Sequence, residues 1–425
     1  MGLDRASAHD SATTAGTAAG SRMPKKSRRI AAVGAAIVAF TAIASGCSSD
    51  DDGKKGSSSG GGAPIKLMVQ GAISGPVYTV PEMVTGAQAA VNRINSEGGI
   101  NGRKLELIPC DDQGNPNNAK ACGRKAVSER VAAVVGGLSM YDNQFIPTLE
   151  SAKIPYIGST GSAPIANTNP VSFPVSSGAV SYLASGKAMA RNGCKKAAVF
   201  AADQPGVDSA IENITRGLNQ SGVTEVKPYK FPTSTSNFSS LVGTAQAAGA
   251  ECIGISSGPQ ALAGIMLAVK KSGTITPINT ILSNIVPELL KTVEFPAGKL
   301  TADGLFYMPD ADATGRTQQV LGQYVADIAG TKATGQAAAI DGPSINGYNS
   351  VLLFAALAKT LPDITAEKVL NAMGSFKSDT GLTTPIDFSG KGPIEGAPQV
   401  HATTAITYSW TGTRLQLSGD PITVP

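Results

Sequence analysis

The chain has 425 residues, a formal net charge of +4, two histidines and 5% aromatic residues against 49 glycines. Of its 35 basic and 31 acidic residues, six and two fall in residues 1–46, so the rest carries 29 of each sign and is neutral. A neutral body gives no electrostatic case for nucleic acid or a polyanion. One histidine beyond residue 46, His401, and no C-x-x-C spacing argue against a zinc site, and no cofactor is expected.

Residues 1–46 read as an address. Lys25, Lys26, Arg28 and Arg29 precede an apolar run from Ile30 to Ile43, which is too short to span about 30 Å of hydrocarbon comfortably. Ala44-Ser45-Gly46-Cys47 follows and resembles a bacterial lipobox, with Ala44 where Leu is usual. The expectation is an exported protein lipidated on Cys47 and held at the outer face of the cytoplasmic membrane. The Arg28-Arg29 pair leaves the export route open, and Met1 to Arg22 fits no export signal, which makes Met23 a candidate start. Residues 47–63, rich in Ser, Gly, Asp and Lys, cannot bury a core and read as a flexible tether.

From Pro64 onward, short apolar runs alternate with longer amphipathic ones. Ile65 to Val69, Leu105 to Ile108, Ala132 to Val135, Pro155 to Ile157, Ala197 to Ala201, Val226 to Phe231, Cys252 to Ile255 and Thr280 to Leu282 predict buried strands. Between them Glu82 to Ser96, Ala119 to Glu129, Gln144 to Ala152, Ser181 to Asn192, Asp208 to Gln220, Phe238 to Ala248 and Ala261 to Lys271 predict helices. Thr317 to Ala329, Ser344 to Lys359 and Thr365 to Met373 add three more, and a hairpin is expected around Trp410 to Arg414. Such alternation gives an α/β fold with parallel sheets and helices on both faces. The simplest assembly is two doubly wound lobes: 64–176 with about 307–388, and about 177–306 with 389–425.

Four cysteines lie beyond Cys47, an even number in an oxidising compartment. Cys110 and Cys122 flank one loop, while Cys194 and Cys252 each open an apolar run expected to be a neighbouring strand. Four cysteines allow three pairings, of which 110 with 122 and 194 with 252 is the one favoured.

Ligands of doubly wound sheets bind beyond the carboxyl ends of the strands. The turns there are Gly71 to Tyr78, Gly136 to Tyr141, Gly158 to Ser162, Ala202 to Gly206, Ser256 to Gly258 and Ser283-Asn284. Ser139, Met140 and Tyr141, with Thr160, Gly161 and Ser162, offer hydroxyls and backbone N–H groups to a carboxylate without a paired cation. The same hydroxyls suit a helix start, the plainer role. Tyr78 and Tyr141 are candidate pocket walls.

One pattern points elsewhere. Gly254-Ile255-Ser256-Ser257-Gly258 fits G-x-S-x-G, and Asp303 or Asp310 and then His401 follow in the order of a hydrolase triad. A five-position pattern arises readily in a chain this rich in Gly and Ser, and His401 sits in an alternating, strand-like stretch. A serine hydrolase is the lesser alternative, and no enzyme is expected.

Taken together, the turns carry a resemblance. Gly71-Ala72-Ile73-Ser74-Gly75-Pro76, the run Asn92 to Arg103, Cys110-Asp111-Asp112-Gln113-Gly114-Asn115-Pro116, Ala133 to Ser139, and Ile154 to Thr160 are similar to the leucine/isoleucine/valine-binding group of type I periplasmic binding proteins. The resemblance spans roughly Pro64 to Gly396 and weakens after Gly258. It implies two lobes joined by three hinge segments, closing on a small ligand and delivering it to an ABC permease and its ATPase. A monomer is expected, and a ligand-sensing receptor of the same fold is the alternative. The second lobe departs from the amino-acid binders: the aromatic expected after Asp203-Gln204-Pro205 is replaced near Gly206, the next turn is Ser256-Ser257-Gly258, and the acidic position falls near Asn284. An α-ammonium then lacks its usual partner unless Asp203 or Asp208 substitutes, which favours a carboxylate or amide ligand read by Asp203, Ser257 and Asn284 and leaves a branched-chain amino acid as the less favoured alternative.

Overall fold

The computed structural model describes residues 62–75, 79–204, 206–309, 312–331 and 340–424. Residues 1–46, Cys47, Tyr78 and Asp310 of the sequence reading lie outside them.

Strands β1 (Ile65–Gly71), β2 (Leu105–Asp111), β3 (Ala133–Leu138), β4 (Tyr156–Ser159) and β5 (Ser172–Phe173) form a parallel sheet in the order β2-β1-β3-β4-β5. Helices α1 (Pro81–Ser96), α2 (Pro116–Ser128) and α3 (Asp142–Ser151) connect them. The chain then runs through α4 (Gly178–Arg191), β6 (Lys196–Ala202), α5 (Val207–Gln220), β7 (Glu225–Phe231), α6 (Ser239–Ala247), β8 (Cys252–Ser256), α7 (Pro259–Lys271), β9 (Ile278–Ile281), α8 (Pro287–Val293) and β10 (Leu300–Gly304). Their strands repeat the same winding, β7-β6-β8-β9-β10.

Next come α9 (Gly315–Gly330), α10 (Gly342–Ala358), α11 (Ala366–Met373) and a small antiparallel pair, β11 (Lys377–Ser378) with β12 (Ile386–Asp387). The end of the chain adds β13 (Thr404–Trp410), antiparallel to β10, and then β14 (Leu415–Leu417) and β15 (Ile422–Thr423), both on β13. The chain therefore passes between the two sheets three times: after β5, after β10 and after β12.

The helices begin where prolines permit. Pro81, Pro116, Pro259 and Pro343 occupy first-turn positions, where a missing N–H costs nothing. This is why α2 and α7 start two or three residues ahead of the apolar periodicity. Strand β9 ends at Ile281, not Leu282, because Leu282–Asn284 closes into a 3-10 turn. His401 precedes β13 instead of lying within it.

Two helix pairs approach through glycine. A Cβ on Gly86 of α1 would overlap the Ser344 carbonyl oxygen of α10, and one on Gly347 would overlap that of Met83. In the second half α4 and α5 meet in the same way, Gly186 against Ile214 and Gly217 against Leu183. The largest core runs from β1, α1 and α10 through Phe173, Leu305 and Phe306 to α4 and Ala405, so the crossings are packed and not merely tethered. Both expected disulfides are present: Cys110–Cys122 ties α2 to β2, and Cys194–Cys252 ties the start of β6 to β8.

Candidate functional site

The strand order reverses between β1 and β3 in the first sheet and between β6 and β8 in the second. The crevices beyond their carboxyl ends are the places where a doubly wound sheet binds ligands. On the first side the loop after β1 is held by Asp111, which accepts from the Ile73 N–H (2.9 Å), the Ser74 N–H (3.2 Å), the Ser74 hydroxyl and the Gln113 N–H (2.9 Å). Burial pushes this carboxyl up, but those donors outweigh burial and leave it below the usual range.

The turn after β3 does not offer its serine hydroxyl. Ser139, 1% exposed, donates to Asp112 Oδ2 and accepts the Tyr141 N–H at 3.0 Å. What the turn retains is the Met140 N–H, which has no acceptor among the described residues, below a side chain 56% exposed. Tyr141, half-buried, leads into α3.

After β4, the Thr160 N–H is spent on the Gly137 carbonyl (3.1 Å), and the Thr160 and Ser162 hydroxyls pair with each other (2.8 Å). The N–H groups of Gly161 and Ser162 are unused among the described residues. Gly161 has φ +61°, and a side chain there would run into Asn167, whose Nδ2 donates to the Gly161 carbonyl (2.9 Å). From α10, Asn346 Nδ2 donates to the Gly158 carbonyl (3.0 Å), so this helix fixes the same strand end.

On the second side, Asp203 is exposed in the turn after β6 with its N–H on the Phe231 carbonyl (2.8 Å), and Asp208 pairs with Lys230 (2.6 Å). Ser257 is 6% exposed, and its hydroxyl reaches only the neighbouring Gly258 carbonyl at 3.4 Å. Asn284, 5% exposed, donates to Thr280 Oγ1 (2.7 Å), and its turn lies against α10, so the two halves meet here.

The hydrolase constellation does not assemble. Ser256 donates to the Tyr182 hydroxyl (3.0 Å), and Asp303 accepts from Thr407 (2.6 Å), Asn279 (2.8 Å) and Ser185 (3.3 Å). His401 packs on Phe388 (ring centroids 5.6 Å apart) beside a surface pocket of about 440 Å³ that Lys153, Phe173 and Leu370 also line. Burial holds its imidazole below the usual value. The G-x-S-x-G pattern is a strand end tied to α4.

Beneath the β3 turn lies a feature that the sequence conceals. Gln70, Asp112, Asp142 and Tyr156 are all buried. Burial, then the charge of Asp112, pushes the Asp142 carboxyl up to about 8, and burial alone pushes Asp303 up to about 6 against its donors. An acid in a polar stretch reads as surface, so only the placement of Asp142 directly after a turn, before the apolar Phe145-Ile146, could have hinted at burial.

Both groups keep protons that the unfolded chain releases near about pH 4. The folded state therefore binds more protons above that value, and stability falls as pH rises toward about 6 for Asp303 and about 8 for Asp142. The ceiling is about 1.4 kcal/mol per pH unit per group. Urea midpoints measured across this range are expected to decline, and a flat or rising midpoint would contradict the burial of both acids.

Residues 64–399 match the periplasmic binding protein family, and the chain belongs to it. Its fold is the type I form, with two parallel-sheet lobes. The Leu/Ile/Val-binding protein of Escherichia coli K12 is 41% identical over 81 residues, 19% of this chain and 22% of that protein. The match thus spans about a fifth of the relative's length. Among solved structures, a branched-chain amino acid ABC transporter protein from Thermus thermophilus with bound valine is similar at TM-score 0.68 and 16% identity, covering 86% of this chain and 97% of that one. A fatty acid ABC transporter substrate-binding protein from Thermomonospora curvata is similar at TM-score 0.65 and 18% identity, over 85% and 92%. The family comprises extracytoplasmic binding proteins rather than enzymes. Among the described residues no helix is long and apolar enough to cross a membrane.

Proposed function

We propose that the protein is an extracytoplasmic solute-binding protein that captures a small carboxylate, amide or amino-acid-like ligand between its lobes and delivers it to an ABC importer. The observation that carries this reading is the set of unpaired N–H groups of Met140, Gly161 and Ser162 at the ends of two adjacent strands, β3 and β4. Such amides hold an anionic or carbonyl oxygen without a cation. On this reading the lobes run 64–176 with about 307–388 and about 177–306 with 389–425. Lobe closure is a population shift, driven by contacts that exist only when both lobes touch the ligand. Permease and ATPase subunits are the partners, Cys47 carries the lipid anchor, and the protein acts as a monomer.

Ligand class follows from the second side. Asn284 is bound to Thr280, Ser257 is neutral, and Asp203 stands exposed, so an α-ammonium meets no buried acid there. A thermal-shift screen of the protein from Pro64 onward tests this with L-leucine, L-valine, short and aromatic carboxylates, amides and polyols. A ligand at a hundred times its Kd adds about 2.7 kcal/mol, a shift of a few degrees. Hits are expected among carboxylates or amides. Strong stabilisation by L-leucine or L-valine sinks the argument from Asn284.

A further inference from the structure

Under the turn that ends at Tyr141, acceptors outnumber donors. Asp112 is supplied, taking Gln70 Nε2 (2.8 Å), the Ser139 hydroxyl and the Gly114 N–H (2.8 Å). Both carboxyl oxygens of Asp142, the Gln70 Oε1 and the Tyr156 hydroxyl have no partner, and all three residues are at most 1% exposed. The Tyr156 ring reaches across β3, with its hydroxyl over the Cα of Gly137, beside the Gln70 carbonyl.

Among the described residues no cation balances the site. The β2–α2 turn contributes Asp112, while Asp111 is turned to Ser74 and Ile73. β4 contributes Tyr156 and β1 the neutral Gln70; α2 packs on α3, with Gly123 against Thr148 and Phe145, and the buried residues of α2 are Ala119, Cys122, Gly123 and Ala126, none of them charged. Within α3, Glu150 lies at the far end, bound to Asn169. Two carboxyl groups without a cation cannot both be ionised at low cost in a dry interior.

We propose that a single proton lodged in the cluster of Asp142, Asp112, Tyr156 and Gln70 holds the Ser139–Tyr141 turn in its binding geometry, with Asp142 as the positioning residue. The proton turns Asp142 from an acceptor alone into a donor, so that the unpartnered Gln70 Oε1 no longer faces acceptors only, while the buried Tyr156 hydroxyl keeps its own donor in either state. The effect reaches the turn along a continuous chain, from Asp112 to the Ser139 hydroxyl to the Tyr141 N–H. Loss of the proton sets a second negative charge beside Asp112. The cheapest relief is to swing out the first turn of α3, because Asp142 follows Tyr141 directly.

The functional consequence rests on reading this turn as part of the ligand site, but the test needs no ligand, so failure of the screen above leaves it interpretable. Two measurements compare the wild type with Asp142→Asn. The infrared spectrum of the wild type minus that of Asp142→Asn at about pH 6, in which the partly protonated Asp303 common to both cancels, is expected to show one protonated carboxyl, and its absence overturns the proposal. Hydrogen exchange at the Tyr141 amide, corrected for intrinsic rates, is expected to lose protection in the wild type by about tenfold per pH unit once the proton leaves, and to stay level in Asp142→Asn. Equal loss in both proteins also overturns it. If Asp142→Asn does not fold, Tyr156→Phe serves in its place: the acid band is expected to move, and an unmoved band separates Tyr156 from the proton and ends the proposal.

Discussion

Replacing both Cys194 and Cys252 by Ala is expected to lower the unfolding free energy by about 4 kcal/mol, against about 3 kcal/mol for the same treatment of Cys110 and Cys122. The difference comes from loop length: the first bridge closes 58 residues and the second 12, and a cross-link restricts the unfolded chain more when its loop is longer. Position reinforces this ranking. Cys252 is paired in register with Ala197, so its bridge clamps two adjacent parallel strands at the amino edge of the second sheet. The shorter bridge joins a helix to an edge strand. Urea unfolding of the two double variants measures both losses, and an equal or reversed ranking would refute the loop-length account. Against a total stability of order 5–15 kcal/mol, either loss is large, which suits bridges formed in an oxidising compartment.

Much of the fold was legible because buried parallel strands are short apolar runs and their connecting helices are amphipathic. Strands β1 to β4, β6 and β8 fall where the runs fall; β7 also lies where a strand is expected, but as a mostly exposed edge strand rather than a buried one. β10 escaped because Leu300–Gly304 carries Thr301 and Asp303, whose polar groups are satisfied sideways by Asn279 and Thr407. β5 is two residues long, too short for any period to register. α10 was visible as an apolar run, but the role of its buried Asn346 and Ser350 in fastening Gly158 was not, since those contacts join residues some 190 positions apart. The candidate site was half legible. Glycine, serine and threonine at strand ends mark the turns, but sequence does not say whether a hydroxyl faces a ligand or its own scaffold. Ser139 serves the scaffold, and the unpaired amides beside it emerge only once every other N–H has been assigned.

Gly347→Ala is expected to destabilise the protein by about 3 kcal/mol, against the usual rule that alanine improves a helix interior by about 1 kcal/mol. The added Cβ would meet the Met83 carbonyl oxygen, and backbone cannot rotate away as a side chain can. α10 would have to move off α1, yet its other side lies against the first sheet: Gly347 sits beside Gly136, Ser350 beside Gly158, and Asn346 donates to Gly158. Those two glycines belong to the strands that carry the Ser139–Tyr141 and Thr160–Ser162 turns. The strain therefore falls on the spacing between the unpaired amides, and any ligand found by thermal shift is expected to bind the variant more weakly than its stability loss alone explains. Gly322→Ala on α9, where nothing among the described residues lies within 4 Å, isolates the intrinsic helix effect and is expected to raise stability by about 0.5–1 kcal/mol. Opposite signs at the two positions, read from urea midpoints, test the close crossing of α1 and α10. If both substitutions stabilise, the helices can part freely and α10 does not set the spacing of the binding turns.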